Sequence, residues 1–227
     1  MDSIETLKKS IEADAELRAL REFVESKMRE QGPIDPGHDL AHFLRVALWT
    51  LKIVGNQIET REAIAAALLH DIINVPKNSP LRKEASRLCA EEAERVLPQY
   101  GFSQDAIARI SEAIRCHSFS RGEIPKTPLA MALQDADRLE ALGSIGIMRC
   151  ISVGARMNGE YFHSSDPWAK SRALNDSQYS IDHFYVKLLK LPDSMTTAAG
   201  RAEAQRRAET MRIFLERLGE ELGEPAP

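Results

Sequence analysis

An all-α fold, a single-domain helical bundle, is what this sequence predicts. Apolar residues recur at helical spacing over most of the chain, and strand-like alternation never persists. Gly- and Pro-containing breaks fall where helices of ordinary length should end. A length of 227 residues suits one domain with an ample core. No internal repeat, low-complexity tract or long linker divides it.

Residues from Ile4 to Arg29 read as one or two amphipathic helices, with Leu17, Leu20, Phe23 and Val24 on a shared stripe. The stretch Gly32-Pro33-Ile34-Asp35-Pro36-Gly37 breaks that pattern. A second helix carries His38, His42, Arg45, Val46 and Trp49 and ends near Gly55. Thr60 is the expected N-cap of the next, whose apolar residues Ile64, Ala67, Leu68 and Ile72 lead to His70-Asp71. Polar, Pro-containing sequence from Asn74 to Pro80 forms a loop, and a helix from Leu81 to Leu97 stops at Pro98 and Gly101. Ser103 caps a helix in which Ile107, Ile110 and Ile114 lead to His117. After a loop from Ser118 to Lys126, Thr127-Pro128 starts the helix that carries Asp135 and Asp137. Residues from Arg156 to Asp176 are polar and irregular, suited to a flap. Closing helices are expected from Tyr179 to Lys190 and from Thr196 to Leu222, the last with Met211, Phe214, Leu215 and Leu218 as its core stripe.

A formal charge of −4 argues against a nucleic-acid scaffold, which carries a basic footprint. A small phosphorylated substrate needs only a local cluster of cations. Cys89, Cys116 and Cys150 are scattered, which suggests free thiols in a reducing compartment. The N-terminus has no basic flank followed by an apolar segment, and no apolar run is long enough for a membrane span. The expectation is a cytoplasmic protein whose partner is a small phosphorylated molecule, a nucleotide by preference, with a homodimer allowed.

The chemistry concentrates in His42, the His70-Asp71 doublet and Asp137, each embedded in helix-forming sequence. Neutral imidazoles and carboxylate oxygens suit a divalent metal that keeps a position open to water. Each of these residues alone is more often a hydrogen-bonded core histidine or a surface carboxylate. Together they differ, because Leu68-Leu69-His70-Asp71 sets two polar residues directly after an apolar stripe, where burial without partners is costly. On a helix His38 and His42 share a face, with Arg45 slightly round from them.

The ordered set His42-Phe43-Leu44-Arg45-Val46, Ala67-Leu68-Leu69-His70-Asp71-Ile72 and Ala136-Asp137-Arg138-Leu139 resembles the HD-domain metal-dependent phosphohydrolase superfamily. Gly37-His38-Asp39, His117-Ser118-Phe119-Ser120, Gln134-Asp135-Ala136-Asp137 and His183-Phe184-Tyr185-Val186-Lys187 look like its bacterial YpgQ-like branch. The likeness runs from Asp35 to Glu216. It implies an HD-type bundle with a core over residues 35–145 and closing helices over 178–222 packed on it. It also implies hydrolysis of phosphate esters or nucleotide phosphoanhydrides. His42, His70, Asp71 and Asp137 match the family's ligands, with Asp135 the competing carboxylate for the last place. Some relatives carry a catalytic glutamate shortly after the His-Asp pair; here Asn74 stands in that region, and an amide cannot take a proton. The histidine set of two-metal members is also incomplete, so one divalent ion is expected: manganese by preference, with iron, cobalt, nickel or zinc also suited.

The expected mechanism is in-line attack on phosphorus by metal-activated water. Asp71 serves as ligand and orienter of the water, and Asp135 as a supporting carboxylate or base. His38 and His117 donate to substrate or protonate the leaving oxygen. Lys77 and Arg82, beside the loop after His70-Asp71, lead the candidate phosphate contacts, followed by Arg45 and Lys187, although each also suits a solvated surface. His183 either lines the pocket or packs beside Phe184. Release of pyrophosphate from a nucleoside triphosphate leads. The alternatives are a nucleoside monophosphate phosphatase, a non-catalytic nucleotide or metal sensor, and an enclosed structural metal clamp.

Overall fold

The first prolonged helical stretch is two helices, because Asp14 ends one and starts the next. Its carboxylate accepts hydrogen bonds from the backbone N–H groups of Glu16 and Leu17, both at 3.0 Å. This N-cap geometry satisfies two donors that a helix start leaves open. The computed structural model describes residues 2–31, 39–75, 79, 83–118 and 123–227. Among them are α1 (Ile4–Ala13), α2 (Ala15–Glu30), α3 (Leu40–Val54), α4 (Thr60–Leu69), α5 (Ala85–Val96), α6 (Gln104–Cys116), α7 (Pro128–Leu139), α8 (Gly143–Arg156), α9 (Ser180–Val186) and α10 (Ala198–Leu222). No strand occurs among the described residues, where an isolated bridge joins Glu160 and Tyr179. No described helix is long and apolar enough to cross a membrane.

The chain divides into two compact units, Met1–Asp137 and Arg138–Pro227. In the first, α4 is the central helix. Beyond Glu62 its sequence is apolar all round, and Ala63 to Leu69 are all fully buried. It packs against α2, α3, α5 and α6. Glu62 is buried at its start and is held by Arg109 of α6 through paired hydrogen bonds of 2.9 and 2.7 Å. Arg61 beside it binds Asp14 and Glu16, fastening α4 to the α1–α2 junction. The core of this unit includes Leu17, Leu20, Val24, Phe43, Val46, Ile64, Leu68, Ile110 and Ile114. Phe23, placed on the predicted stripe, packs only partly buried against it.

Several boundaries differ from expectation. Glu59 occupies the cap position of α4 and Thr60 is its first helical residue, since the Glu59 carbonyl already accepts from Glu62 and Ala63. Among the described residues α5 begins at Ala85 and tightens into a 3-10 turn, Leu97–Tyr100, around Pro98. Gly101 then reverses the chain at φ +70°, a conformation that favours glycine. Ser103 and Thr127 do cap α6 and α7, accepting from Ala106 and Ala130.

In the second unit, α8 is a helix that the sequence reading did not assign. Gly143, Gly146 and Gly154 and its β-branched residues give it low intrinsic helix propensity. Tertiary packing overrides that: at Gly154 a side chain would meet the Ser180 hydroxyl of α9 at 2.3 Å, so the glycine permits close approach. The single helix expected from Tyr179 to Lys190 is α9 followed by a 3-10 helix, Leu188–Ser194. Pro192 has no N–H for the Leu188 carbonyl, so α-helical bonding cannot continue through it. The stripe of α10 is Gly200, Ala204, Ala208, Met211, Leu215 and Gly219, with Phe214 and Leu218 only half-buried at its margin.

The segment between α8 and α9 is irregular, as expected, and is tied together by polar contacts. Asp166 accepts from the backbone of Lys170 and Ser171 and from the Ser171 hydroxyl, at 2.8, 2.9 and 2.8 Å. Arg172 stacks over Tyr179 at 4.6 Å and grips the buried Asp182 of α9 with both terminal guanidinium nitrogens.

Candidate metal centre

Three histidines sit at helix ends in the first unit, and each position has a local cause. Asp39 caps α3 by accepting from the His42 N–H at 2.9 Å, which fixes His42 in the first turn. His70 follows the last residue of α4, and His117 follows the last residue of α6. Helix C-termini leave carbonyls without intrahelical partners. The two imidazoles use them: His70 Nδ1 lies 2.7 Å from the Ala67 carbonyl, and His117 Nδ1 lies 2.6 Å from the Ile114 carbonyl. A carbonyl only accepts, so each Nδ1 carries the proton. Nε2 of each ring is thereby aimed away from its own helix, the arrangement that metal-ligating histidines use.

The Nε2 atoms of His42 and His70 approach to 3.3 Å, and both rings are fully buried. Asp137 Oδ1 lies 3.7 Å from each of them. On the other side of His70, Asp71 Oδ2 is 3.9 Å from its Nε2, and Asp71 Oδ1 is 3.4 Å from His117 Nε2. The ligand atoms therefore form two close triads, His42–His70–Asp137 and His70–Asp71–His117, sharing His70. Phe43 packs edge-on to His70 at 5.2 Å and closes its apolar side.

The electrostatics favour a cation. Burial lowers the pKa of His70, but the Asp137 carboxylate and the Asp71 charge outweigh it and raise the pKa to about 9. Burial likewise pushes Asp137 up, yet His70, then His42 and His117, hold it below the usual carboxylate range. Two acidic side chains facing imidazole Nε2 atoms, whose protons a bound ion would displace, form a hard-oxygen and nitrogen donor set that fits a divalent transition metal. The side chains of Asp71 and Asp137 remain 25% and 29% exposed, so the carboxylate side opens outward while the imidazole side is sealed. That asymmetry suits a site reached by substrate better than an enclosed clamp.

The expected residues are distributed unevenly. Asp135 is fully buried on α7 and belongs to neither triad. Arg45 lies half-buried on α3, one turn beyond His42. Lys187 is exposed at the end of α9, and His183 pairs with Asp176 at 2.9 Å, both in the second unit. His38, Lys77 and Arg82 lie outside the described residues. The sequence reading gave His117 a proton-donor role and missed that it shares a potential ligand triad. The available signal was its place immediately after a helix, the same place His70 holds.

Gln134 joins two of the helices that carry these groups. Its Nε2 donates to the Cys116 carbonyl at 2.7 Å, tying α7 to the end of α6 one residue before His117. Leucine at this buried position would fill the space and leave that carbonyl unsatisfied. Gln134→Leu is expected to lower stability by ~1–3 kcal/mol, read from urea unfolding midpoints.

The sequence pattern of the HD domain spans residues 39–142, which include both triads. The chain belongs to the HD-domain family. The uncharacterized protein YpgQ of Bacillus subtilis (strain 168) is 31% identical over 214 residues, covering 89% of this chain and 92% of YpgQ. The crystal structure of YpgQ in complex with ADP matches with a TM-score of 0.67 at 26% identity, covering 90% of this chain and 96% of that one. An HD-superfamily hydrolase from Bacillus thuringiensis matches with a TM-score of 0.67 at 26% identity, covering 91% and 96%.

Proposed function

We propose that this protein is a metal-dependent phosphohydrolase of nucleotides, cleaving a phosphate ester or phosphoanhydride, with release of pyrophosphate from a nucleoside triphosphate as the leading reaction. The observation that carries this reading is the convergence of buried imidazole nitrogens and half-open carboxylates at one point of the first unit. The ADP complex of YpgQ supports a nucleotide as the ligand class. His42, His70, Asp71 and Asp137 would hold one divalent ion, manganese by preference. When bound, that ion supplies neutralisation of phosphate oxygens and eases deprotonation of water.

The protein's own groups divide the remaining work. Asp71 stands between His70 and His117, placed to orient the attacking water as well as to serve as a ligand. His117 holds its Nδ1 proton against the Ile114 carbonyl, so Nε2 can exchange a proton with Asp71 or with the leaving oxygen. Arg45 is the candidate phosphate contact on α3, and Asp135 a supporting carboxylate on α7. In the leading reaction, the water oxygen bonds to the α-phosphorus as the bond to the bridging oxygen breaks. Pyrophosphate leaves with the electron pair and the water proton passes to solvent.

The test is a screen of nucleoside tri-, di- and monophosphates with added Mn2+, with pyrophosphate and orthophosphate measured separately. Pyrophosphate plus nucleoside monophosphate is the expected product pair. Orthophosphate from monophosphates would instead identify a phosphomonoesterase. Binding without turnover across several metals would leave a sensor. Thermal unfolding adds an independent readout: Mn2+ raises the midpoint, and a non-hydrolysable triphosphate raises it further, because both bind only the folded state. A clamp would respond to the ion alone.

A further inference from the structure

The hydrogen bond from the Ile72 N–H to the Leu69 carbonyl, at 3.2 Å, is the last of helical type at this end of α4. Asp71 lies in the turn beyond the helix, so its direction depends on how the next peptides are held. Two side chains from elsewhere in the first unit hold them. Gln31, at the end of α2, donates from Nε2 to the Ile72 carbonyl at 2.7 Å and accepts at Oε1 from the Asn74 N–H at 2.9 Å. Cys89, buried on α5, accepts from the Ile73 N–H at 3.4 Å. The Ile72 side chain is itself buried and anchors the same turn.

The Gln31 amide thus spans a carbonyl and an N–H as a neighbouring strand would. Its orientation is unambiguous, since only nitrogen can donate to the carbonyl and only oxygen can accept from the N–H. The gripped carbonyl is one residue from Asp71. Displacement of the backbone held there would carry the adjoining Asp71 with it and shift its carboxylate relative to His117 and His70, from which it stands at 3.4 and 3.9 Å.

We propose that Gln31 is a positioning residue for the metal centre, setting the Asp71 carboxylate through the backbone of Ile72–Asn74. The inference rests on the metal-site reading given above. Partners one step removed from a metal ligand change affinity by about 10–100-fold, and sub-ångström placement governs reactivity at such sites.

The test compares wild type, Gln31→Met and Gln31→Glu by Mn2+ titration calorimetry and by thermal unfolding in chelator. Gln31→Met keeps the length and loses both hydrogen bonds; it is expected to weaken Mn2+ by about tenfold, with chelated unfolding changed little. Gln31→Glu keeps the acceptor for Asn74 and loses the donor, so intermediate affinity is expected. Wild-type affinity in Gln31→Met would overturn the proposal. So would a fall in the chelated unfolding midpoint with Mn2+ affinity unchanged, since that describes a loop support only. Should Gln31→Met fail to fold, full wild-type affinity in Gln31→Glu overturns it equally. Failure of wild type itself to bind Mn2+ would instead remove the metal-site reading and the proposal with it.

Discussion

His70→Ala is expected to abolish Mn2+ binding and reduce nucleotide hydrolysis by more than about a hundredfold, the upper range for losing only an outer partner of a metal ligand. His70 is the one residue common to both triads, so its removal breaks both. The fold should survive, because the substitution trims a ring at the end of α4 and leaves the buried run Ala63 to Leu69 in place. A cavity beside Phe43 and an Asp137 deprived of one of the two imidazoles 3.7 Å from it will cost some stability, so far-ultraviolet circular dichroism must accompany the assay. Retained Mn2+ affinity in a folded His70→Ala protein would defeat the metal-centre reading. Asp71→Ala and Asp137→Ala, each touching one triad, should separate their roles in binding and turnover.

Asp182→Ala is expected to cost ~3–5 kcal/mol in the second unit, the range for stripping one partner from a buried ion pair. The Asp182 side chain is 1% exposed and paired with Arg172, which is itself mostly enclosed. Asp182 also accepts from the Asn175 N–H at 2.6 Å, so its loss releases the irregular segment as well as the guanidinium. The pH dependence follows in sign. Burial raises the Asp182 pKa, but the Arg172 hydrogen bonds, the Asn175 N–H and the Arg172 charge outweigh it and leave the group below its ordinary value. The pair therefore contributes fully above the unfolded-state pKa of about 4, and its contribution is lost as pH falls below that value. Unfolding free energies of wild type and Asp182→Asn should converge between pH 5 and strong acid. Parallel profiles would show that the pair does not carry the acid dependence.

The sequence was most legible where the physics is local. The Ser103 and Thr127 caps, and the Pro98–Gly101 stop, read directly because each depends on a few adjacent residues. It was least legible where packing opposed propensity. The glycines and β-branched residues of α8 argue weakly for a helix, and its partners α9 and α10 lie well beyond the reach of a periodicity window. Pro192 was visible, yet its effect on the helix before it depended on a tight 3-10 segment that the pattern of apolar residues does not distinguish.

The candidate site shows the same division at finer grain. Sequence singled out His42, His70, Asp71 and Asp137 as metal-ligating residue types in helix-forming sequence, with the need for partners after an apolar stripe applying to His70 and Asp71. The family resemblance also favoured Asp137 over Asp135, and it is Asp137 that lies 3.7 Å from both imidazoles. The place of His117 after a helix was visible, but its closeness to Asp71 was not, since 46 residues separate them and only the packing of α4 against α6 brings them together. The Gln31 contact with Ile72 spans 41 residues and likewise has no local signature.

Order and kind of helix, and the stock of imidazoles and carboxylates, were already present in the linear chain, because caps, breaks and periodic burial act over one or two turns. Which nitrogen faces inward, which carboxylate meets which ring, and what holds the turn after Asp71 were set by helix ends meeting in space. Those contacts join residues remote in sequence, and short-range preferences carry no information about them.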